Sequence, residues 1–253
     1  MNDLTLSLIA AGCIVAGVLV GMGLQNLLPT HHLSDKSRAT VTLGAGMIAT
    51  MSALVLGLLV SSAKNSYDIA SADVAQTGAK IIALDELLTE YGPETKPLRE
   101  RLKTTLAERI DAIWGRQTNS PSGLRAIEAS KITSVMQKKL SELVPVNEEQ
   151  KVLLAELVQI SRDIRQNRVL LIEQQQLGLP PVFLGLLVFW LTLLFVSFGL
   201  FAPRNATVIS VLLVCALSVS SAIFLVLEMN HPLEGIIQVP SAPLRKALEL
   251  IGH

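Results

Sequence analysis

Cysteine and aromatic residues are scarce in this sequence. Its 253 residues include two cysteines, and aromatic side chains make up 4% of the chain. Cys13 and Cys215 both lie in apolar segments, so the polar middle of the chain has no thiol for a disulfide. The sequence therefore excludes the class of small secreted domains that disulfides hold together.

An excess of charge of either sign is also absent. The 21 basic and 21 acidic side chains give a formal net charge of zero. A neutral chain creates no general field that would hold nucleic acid, and no nucleic-acid-binding motif occurs. We therefore expect no nucleic-acid partner.

The motifs of common enzymes are missing as well. There is no G-x-S-x-G nucleophile elbow, no P-loop, no Gly-rich dinucleotide fingerprint and no pair of cysteine ligands. None of the four histidines has a histidine partner four residues away, and we interpret the adjacent His31 and His32 as solvated loop residues. The sequence thus predicts that the protein is not an enzyme and has no catalytic residue, cofactor or metal.

The sequence contains several long apolar runs. Half of its residues are hydrophobic and 17% are charged, a composition too apolar for a soluble domain. An α-helix rising ~1.5 Å per residue needs ~20 apolar residues to cross a bilayer. Because no basic residue precedes the first such run, we expect it to be a retained span and not a signal peptide. Four runs predict four transmembrane helices, at Leu4–Leu28, Ala39–Val60, Val182–Ala202 and Ala206–Leu227.

The second run continues into a polar helix. Gly78 is the only Gly or Pro between Gly57 and Gly92, and Gly92 followed by Pro93 predicts the end of the helix. Beyond Lys64, apolar or small residues recur at steps of four and three, which is typical of a helix that packs along its length. This seam consists of Ala63, Tyr67, Ala70, Val74, Thr77, Ile81, Leu84, Leu88 and Tyr91.

The polar region that follows predicts a helical domain of balanced charge, with 16 basic and 16 acidic side chains over residues 64–179. Thr95 can cap its second helix, with Pro97 in the first turn, and a third helix is expected over Leu124–Leu143. Asn147 can cap a fourth, long helix that we expect to pair antiparallel with the first. The apolar positions of the second helix are Leu98, Leu102, Leu106, Ile110 and Ile113, and those of the fourth are Leu153, Leu157, Ile160, Ile164 and Leu171.

We therefore predict an all-α membrane protein. Its four transmembrane helices form two hairpins, with a four-helix soluble domain between spans two and three. The predicted segments are a first hairpin at residues 1–62, the soluble domain at 63–179, a second hairpin at 180–228 and an amphipathic tail at 229–253. Within the tail, Pro243 to Ile251 is expected to pack on the bundle or to lie at the membrane interface.

Small residues form stripes on spans one, two and four, the last with Ser210, Ser218, Ser220, Ser221 and Ala222. Gly17 and Gly21 of span one have the G-x-x-x-G spacing, which predicts close packing against another helix. The stripe on span two either packs against a helix or lines a narrow path for ions, and the sequence leaves both interpretations open. Its members are Thr42, Gly46, Ala49, Ala53, Gly57 and Ser61.

Charged residues stand at the ends of two apolar runs. Lys64 follows span two, and Glu228 ends span four. Glu228 is expected either to be a hydrated carboxylate at the membrane interface or to line a vestibule, to which Lys64 would also belong.

Three stretches of the chain resemble a bacterial family of membrane proteins. They are the exit from span two at Leu54–Lys64, the break at Tyr91–Lys96, and the tail motif E-M-N-H-P-L-E-G at Glu228–Gly235 with S-A-P-L-R at Ser241–Arg245. The chain is similar over nearly its full length to the bestrophin-like family. This resemblance implies two membrane hairpins separated by a helical cytosolic region and, by analogy with true bestrophins, a pentameric anion channel. Bestrophins have an aromatic-rich pore constriction and an acidic calcium clasp, whereas span two here has no aromatic residue and no acidic cluster follows span four.

Location and partners follow from the same features. The resemblance implies the inner (plasma) membrane of a bacterium with the helical domain in the cytoplasm, and the basic residues that flank the spans favour that orientation. Small-residue stripes exceed what one four-helix unit needs for its own contacts, so we expect a homo-oligomer in the lipid bilayer. Two functions stay open: an oligomeric channel for small ions with span two on its axis, or a non-conducting scaffold or sensor whose helical domain binds a protein partner.

Overall fold

The computed structural model describes residues 3–29, 35–115, 139–140, 142–176, 181–203, 205–233 and 235–252. These residues form helices and no strand, which confirms the predicted all-α class. The helices in chain order are α1 (Asp3–Leu27), α2 (Asp35–Tyr91), α3 (Lys96–Trp114), α4 (Glu148–Gln176), α5 (Pro181–Phe201), α6 (Ala206–Asn230) and α7 (Ala242–Leu250). A short 3-10 helix at Pro93–Thr95 precedes α3.

The four predicted spans are present as α1, α2, α5 and α6, each long and apolar enough to cross a membrane. As predicted, span two and the polar helix after it form one helix, because α2 runs for 57 residues without interruption. Gly92 ends it with a φ of 138°, a conformation that glycine adopts readily and other residues rarely do.

Two compact units make up the chain. The membrane unit contains Met1–Tyr67 and Leu177–Ile237, and the helical unit contains Asp68–Gln176 and Gln238–His253. The predicted amphipathic tail is thus divided at Ile237, and its second part belongs to the helical unit.

In the membrane unit, α1 packs against both α5 and α6. Gly17 and Gly21 lie in the contact with α5: a Cβ at Gly17 would be 2.9 Å from the carbonyl oxygen of Thr192, and one at Gly21 would collide with the backbone of Val196. From the opposite side, a side chain at Gly199 would collide with the carbonyl of Val18. The prediction that the G-x-x-x-G pair packs closely is confirmed, since only glycine permits this approach of two backbones.

The core of the membrane unit takes residues from all four of its helices. They include Ile14 of α1, Leu187 of α5 and Ile223 of α6, each fully buried. From α2, Leu59 and Ala63 join this core. Burial of large aliphatic side chains at one centre holds the four spans together within one chain.

In the helical unit, the seam predicted along α2 is confirmed. Ala70, Val74, Ile81, Leu84, Leu88 and Tyr91 are buried, while Tyr67 and Thr77 of the same seam are half-buried. The apolar positions of α3 behave in the same way, with Leu98, Leu102, Leu106 and Ile110 buried. A spacing of three and four residues therefore located the packed faces of both helices.

The start of α4 lies close to the end of α2. Asn147 caps α4 as predicted, because its side-chain oxygen accepts a hydrogen bond of 2.7 Å from the Gln150 backbone N–H. The side chain of Gln150 in turn donates to the carbonyl oxygen of Tyr91, at 2.9 Å. This contact is what an antiparallel arrangement of the two helices requires at this end.

Thr95 differs from its predicted role. It occupies the N-cap position of α3 but makes no side-chain capping bond, since its backbone is helical, with φ −84° and ψ −6°. Its hydroxyl instead donates to the carbonyl oxygen of Leu88, in the last turn of α2, and lies within hydrogen-bond distance of the carbonyl oxygen of Gly92, which also accepts the Thr95 backbone N–H. Thr95 is fully buried and closes the turn between the two helices.

Several predicted features lie outside the described residues. These are His31 and His32, most of the third helix over Leu124–Leu143, and Glu234 of the tail motif. The side chain of Leu171 in α4 lies outside them as well.

Candidate functional site

One face of α2 packs into the membrane unit. Ala45, Ser52, Leu59 and Ala63 are buried, at spacings of seven, seven and four residues. At 100° per residue these positions fall within about 40° of one another around the helix. This face, and not the small-residue stripe, contains the buried positions of α2 in the membrane unit.

The small-residue stripe lies beside the buried face and is largely uncovered. Among the described residues, Gly46 and Gly57 have no atom within 4 Å of the position that a Cβ would occupy. Of the two interpretations that the sequence left open, packing against a described helix of the same chain is therefore not realised at these glycines. Within the stripe, Ala49 is half-buried, and the exposed members are Thr42, Gly46, Ala53, Gly57 and Ser61.

Hydroxyl groups on α2 are used in two different ways. The exposed Thr50 donates 2.9 Å to the carbonyl oxygen of Gly46, one turn earlier, which is the usual way for a helix to satisfy a hydroxyl in lipid. Ser52 is 3% exposed, and its hydroxyl has no hydrogen-bond partner within the described part of the chain. Thr50 and Ser52 both lie in the apolar run of α2, and the sequence alone does not show which of the two is buried.

A second exposed surface of α2 was not predicted. Leu43, Met47, Leu54 and Leu58 are 74%, 66%, 66% and 71% exposed. They follow one another at four, seven and four residues and so form a bulky apolar ridge along the helix, next to the stripe of small residues. Apolar surface of this kind on a membrane span requires either lipid or another protein helix to cover it.

Lys64 lies exposed three residues after Ser61, the last member of the stripe. At 100° per residue it falls within about 60° of the stripe residues nearest to it around the helix. A cation therefore stands at the end of the small-residue surface, at the point where the apolar run of α2 ends.

Glu228 is buried, with 3% of its surface exposed. Its carboxylate accepts backbone hydrogen bonds from Ile236 at 2.6 Å and Ile237 at 3.3 Å. Gly235 has a φ of 84°, and a side chain there would collide with the same carboxylate. The expectation of a hydrated interfacial carboxylate was wrong, because the chain turns back after α6 and places two N–H donors on the acid. That Glu228 lines a vestibule stays a prediction.

The helical unit contains a buried ion pair that the sequence did not reveal. Arg99 of α3 donates to both carboxylate oxygens of Asp85 on α2, at 2.9 and 3.0 Å, and the backbone N–H of Gly252 donates a third bond at 3.1 Å. Burial raises the pKa of Asp85, but the hydrogen bonds from Arg99 and Gly252, with the nearby charges of Arg99 and Lys103, lower that pKa overall. The pair is structural, since it joins α2, α3 and the tail.

No group of three or more His, Cys, Asp or Glu side chains that could hold a metal ion occurs among the described residues. Cys13 and Cys215 are free and exposed on α1 and α6.

The geometry defines a class first: an all-α, multi-pass membrane protein whose second span presents small residues on an uncovered face. Within that class, the family model of the bestrophin-like domain matches residues 12–244, and the chain belongs to the bestrophin-like family. No curated protein and no solved structure matches the chain.

Proposed function

We propose that the chain forms a homo-oligomeric channel for small ions in the inner membrane of a bacterium, with the helical unit in the cytoplasm. In this assembly α2 surrounds the axis, and its small-residue stripe faces the ion path. The observation that carries the proposal is the open space beside Gly46 and Gly57. A transmembrane face without a partner in the described part of its own chain is available to a path shared by several copies.

The ion class follows from the charges near the path. No member of the stripe carries a charge, so permeation through the span depends on hydroxyls, helix dipoles and the width of the path. Lys64 supplies a positive charge at its cytoplasmic end, which favours anions. By analogy with bestrophins the assembly is a pentamer, and its bulky ridge from Leu43 to Leu58 packs against the neighbouring copy.

Single-channel recording of the purified oligomer in planar bilayers tests the proposal. Gly57→Leu fills the stripe and is expected to abolish conductance without loss of assembly. Gly44→Leu is the matched control, because Gly44 is also exposed with no atom within 4 Å of a Cβ but lies about 140° around α2 from Gly57. Equal effects of the two substitutions, or an assembled wild-type oligomer that passes no current, would contradict the channel.

Charge reversal tests the ion class separately. Lys64→Glu is expected to lower the permeability of anions relative to cations, measured as a shift of reversal potential in a salt gradient. An unchanged reversal potential with intact conductance would show that Lys64 does not lie on the ion path, and it would leave the channel proposal standing.

A second function has its own observation. Val144 and Val146, just before α4, and Val152 in its second turn are 81%, 88% and 68% exposed, which is unusual for apolar side chains of a helical unit outside the membrane spans. This surface favours the alternative of a non-conducting scaffold or sensor that binds a protein partner. A correctly assembled oligomer that stays silent at varied voltage, pH, calcium and tension would favour this second function.

A further inference from the structure

The helical unit is built from two separate pieces of sequence. Its first piece is Asp68–Gln176 and its second is Gln238–His253. Between the two pieces lie residues 177–237, which include both transmembrane helices α5 and α6. The second piece is therefore synthesised only after the last span.

This second piece is held on α2 and α3 by specific backbone contacts. The indole N–H of Trp114, in the last turn of α3, donates 2.8 Å to the carbonyl oxygen of Val239. Pro243 lies directly over Gly78 of α2, where a Cβ would be 2.9 Å from the Pro243 carbonyl oxygen. The absence of a side chain at Gly78 therefore makes room for the tail, because a side chain at this position would displace the start of α7.

The tail also contributes to the core of the unit. Leu244, Ala247 and Ile251 are 4%, 0% and 1% exposed, so α7 packs through one apolar face. The Gly252 N–H completes the hydrogen bonds of the buried Asp85 carboxylate, which is already paired with Arg99. Without the tail, apolar core positions would meet water and the buried carboxylate would lose a donor.

We propose that residues 238–252 are a latch that completes the fold of the helical unit only after α6 has been made. Until the latch docks, α3 and the part of α2 that follows Asp68 lack some of their core contacts. Both helices therefore open locally more often than in the complete fold. Docking requires the tail to lie on the same side of the membrane as residues 68–176, so a chain in which only one of α5 and α6 has crossed the membrane cannot close the latch. This inference does not depend on conduction.

Hydrogen exchange of the full-length protein in detergent or nanodiscs tests the latch. Ala247→Asp places a charge at a fully buried position of α7, whereas the matched Ala242→Asp changes an exposed residue of the same helix. For Ala247→Asp we expect amide exchange at residues 81–91 and 98–110 to accelerate about tenfold or more. A tenfold acceleration corresponds to a loss of about 1.4 kcal/mol in the free energy of local opening. Ala242→Asp is expected to leave these rates unchanged.

Two further measurements separate the latch from a general loss of stability. A synthetic peptide of residues 238–253, added to the Ala247→Asp protein, is expected to restore protection at residues 81–91 and 98–110. Trp114→Phe removes the hydrogen bond to Val239 while keeping an aromatic ring, and it is the test variant if Ala247→Asp does not accumulate. Faster exchange confined to residues 238–252, with α2 and α3 still protected, would overturn the proposal.

Discussion

Gly21 of α1 lies directly against the backbone of Val196 of α5, so that any side chain at Gly21 would collide with the Val196 carbonyl. The two helices approach each other at van der Waals distance only because this position lacks a Cβ. Gly21→Ala must move backbone atoms apart and is expected to lower the free energy of unfolding by about 1–3 kcal/mol, as overpacking does.

Gly12, on the same helix, is the control for this prediction. Among the described residues, no atom lies within 4 Å of the position of a Cβ at Gly12, so Gly12→Ala is expected to leave stability unchanged or to raise it by up to about 1 kcal/mol through the higher helix propensity of alanine. Reversible unfolding of the purified protein in mixed micelles measures both variants. A loss of equal size for the two glycines would show that Gly21 does not act through its contact with Val196.

The two glycine stripes show what the sequence could and could not reveal. Gly17 and Gly21 on α1, like Gly46 and Ala53 on α2, are small residues on one side of an apolar helix. The first pair is closed against α5, while Gly46 is open. Periodicity identifies a face of a helix but contains no information about which surface, if any, covers that face. For this reason the spans and the seam of α2 could be predicted, and the partner of the stripe could not.

The burial of two charged residues could not be predicted from the sequence, for a similar reason. Asp85 is buried because its partner Arg99 lies on the next helix, 14 residues further along. Glu228 is buried because the chain turns back over it and donates backbone N–H groups, which every residue other than proline possesses. Neither partner is visible at helical spacing, so both acids have the sequence pattern of solvated charges. The C-terminal tail illustrates the same point, since its contact with Gly78 joins residues far apart in the sequence.

The role of Glu228 can be tested at the turn that it holds. Glu228→Ala removes the acceptor for the Ile236 and Ile237 N–H groups, and amide exchange across residues 231–237 is expected to rise about tenfold, since each lost acceptor leaves a part-buried donor unpaired. Glu249→Ala, at an exposed position of α7, is the control and should leave that turn protected. Unchanged exchange in the Glu228 variant, together with an altered conductance, would favour the vestibule over the structural role.

We expect a single substitution in the Asp85–Arg99 pair to cause a large loss of stability. The two side chains are 8% and 18% exposed, and Asp85→Asn would leave the Arg99 charge buried without its counter-ion. We expect a loss of about 3 kcal/mol in the stability of the helical unit. Glu148→Gln breaks the exposed pair with Lys151, whose side chains are 87% and 56% exposed, and should cost less than about 1 kcal/mol. Similar losses for both variants would mean that the Asp85 pair is as well screened by water as a surface pair.

The same pair predicts the direction of a pH effect. The pKa of Asp85 is lower in the folded protein than in the unfolded chain, chiefly because the bonds from Arg99 and Gly252 outweigh the opposing effect of burial. Its contribution to stability is therefore fully present above the unfolded pKa of about 4 and is lost as the pH falls through the lower folded value. Unfolding curves between about pH 5 and pH 2 should converge for the wild type and Asp85→Asn. Curves that stay separated to the lowest pH would contradict the lowered pKa.

The orientation in the membrane is the last prediction, and the helical unit constrains it. Residues 68–176 and the tail belong to one compact unit, joined by the Trp114–Val239 and Asp85–Gly252 hydrogen bonds. Both pieces therefore lie on one side of the membrane, so α5 and α6 cross it as a pair and Pro203 between them lies on the other side. The basic residues that flank the spans favour the cytoplasm for the helical unit. In a background of Cys13→Ala and Cys215→Ala, a membrane-impermeant maleimide applied to intact spheroplasts should label Pro203→Cys and not Glu149→Cys. Permeabilised spheroplasts should show both labelled, because Pro203 and Glu149 are both exposed. Labelling of Glu149→Cys alone in intact spheroplasts would reverse the orientation and place Lys64 at the outer end of the path.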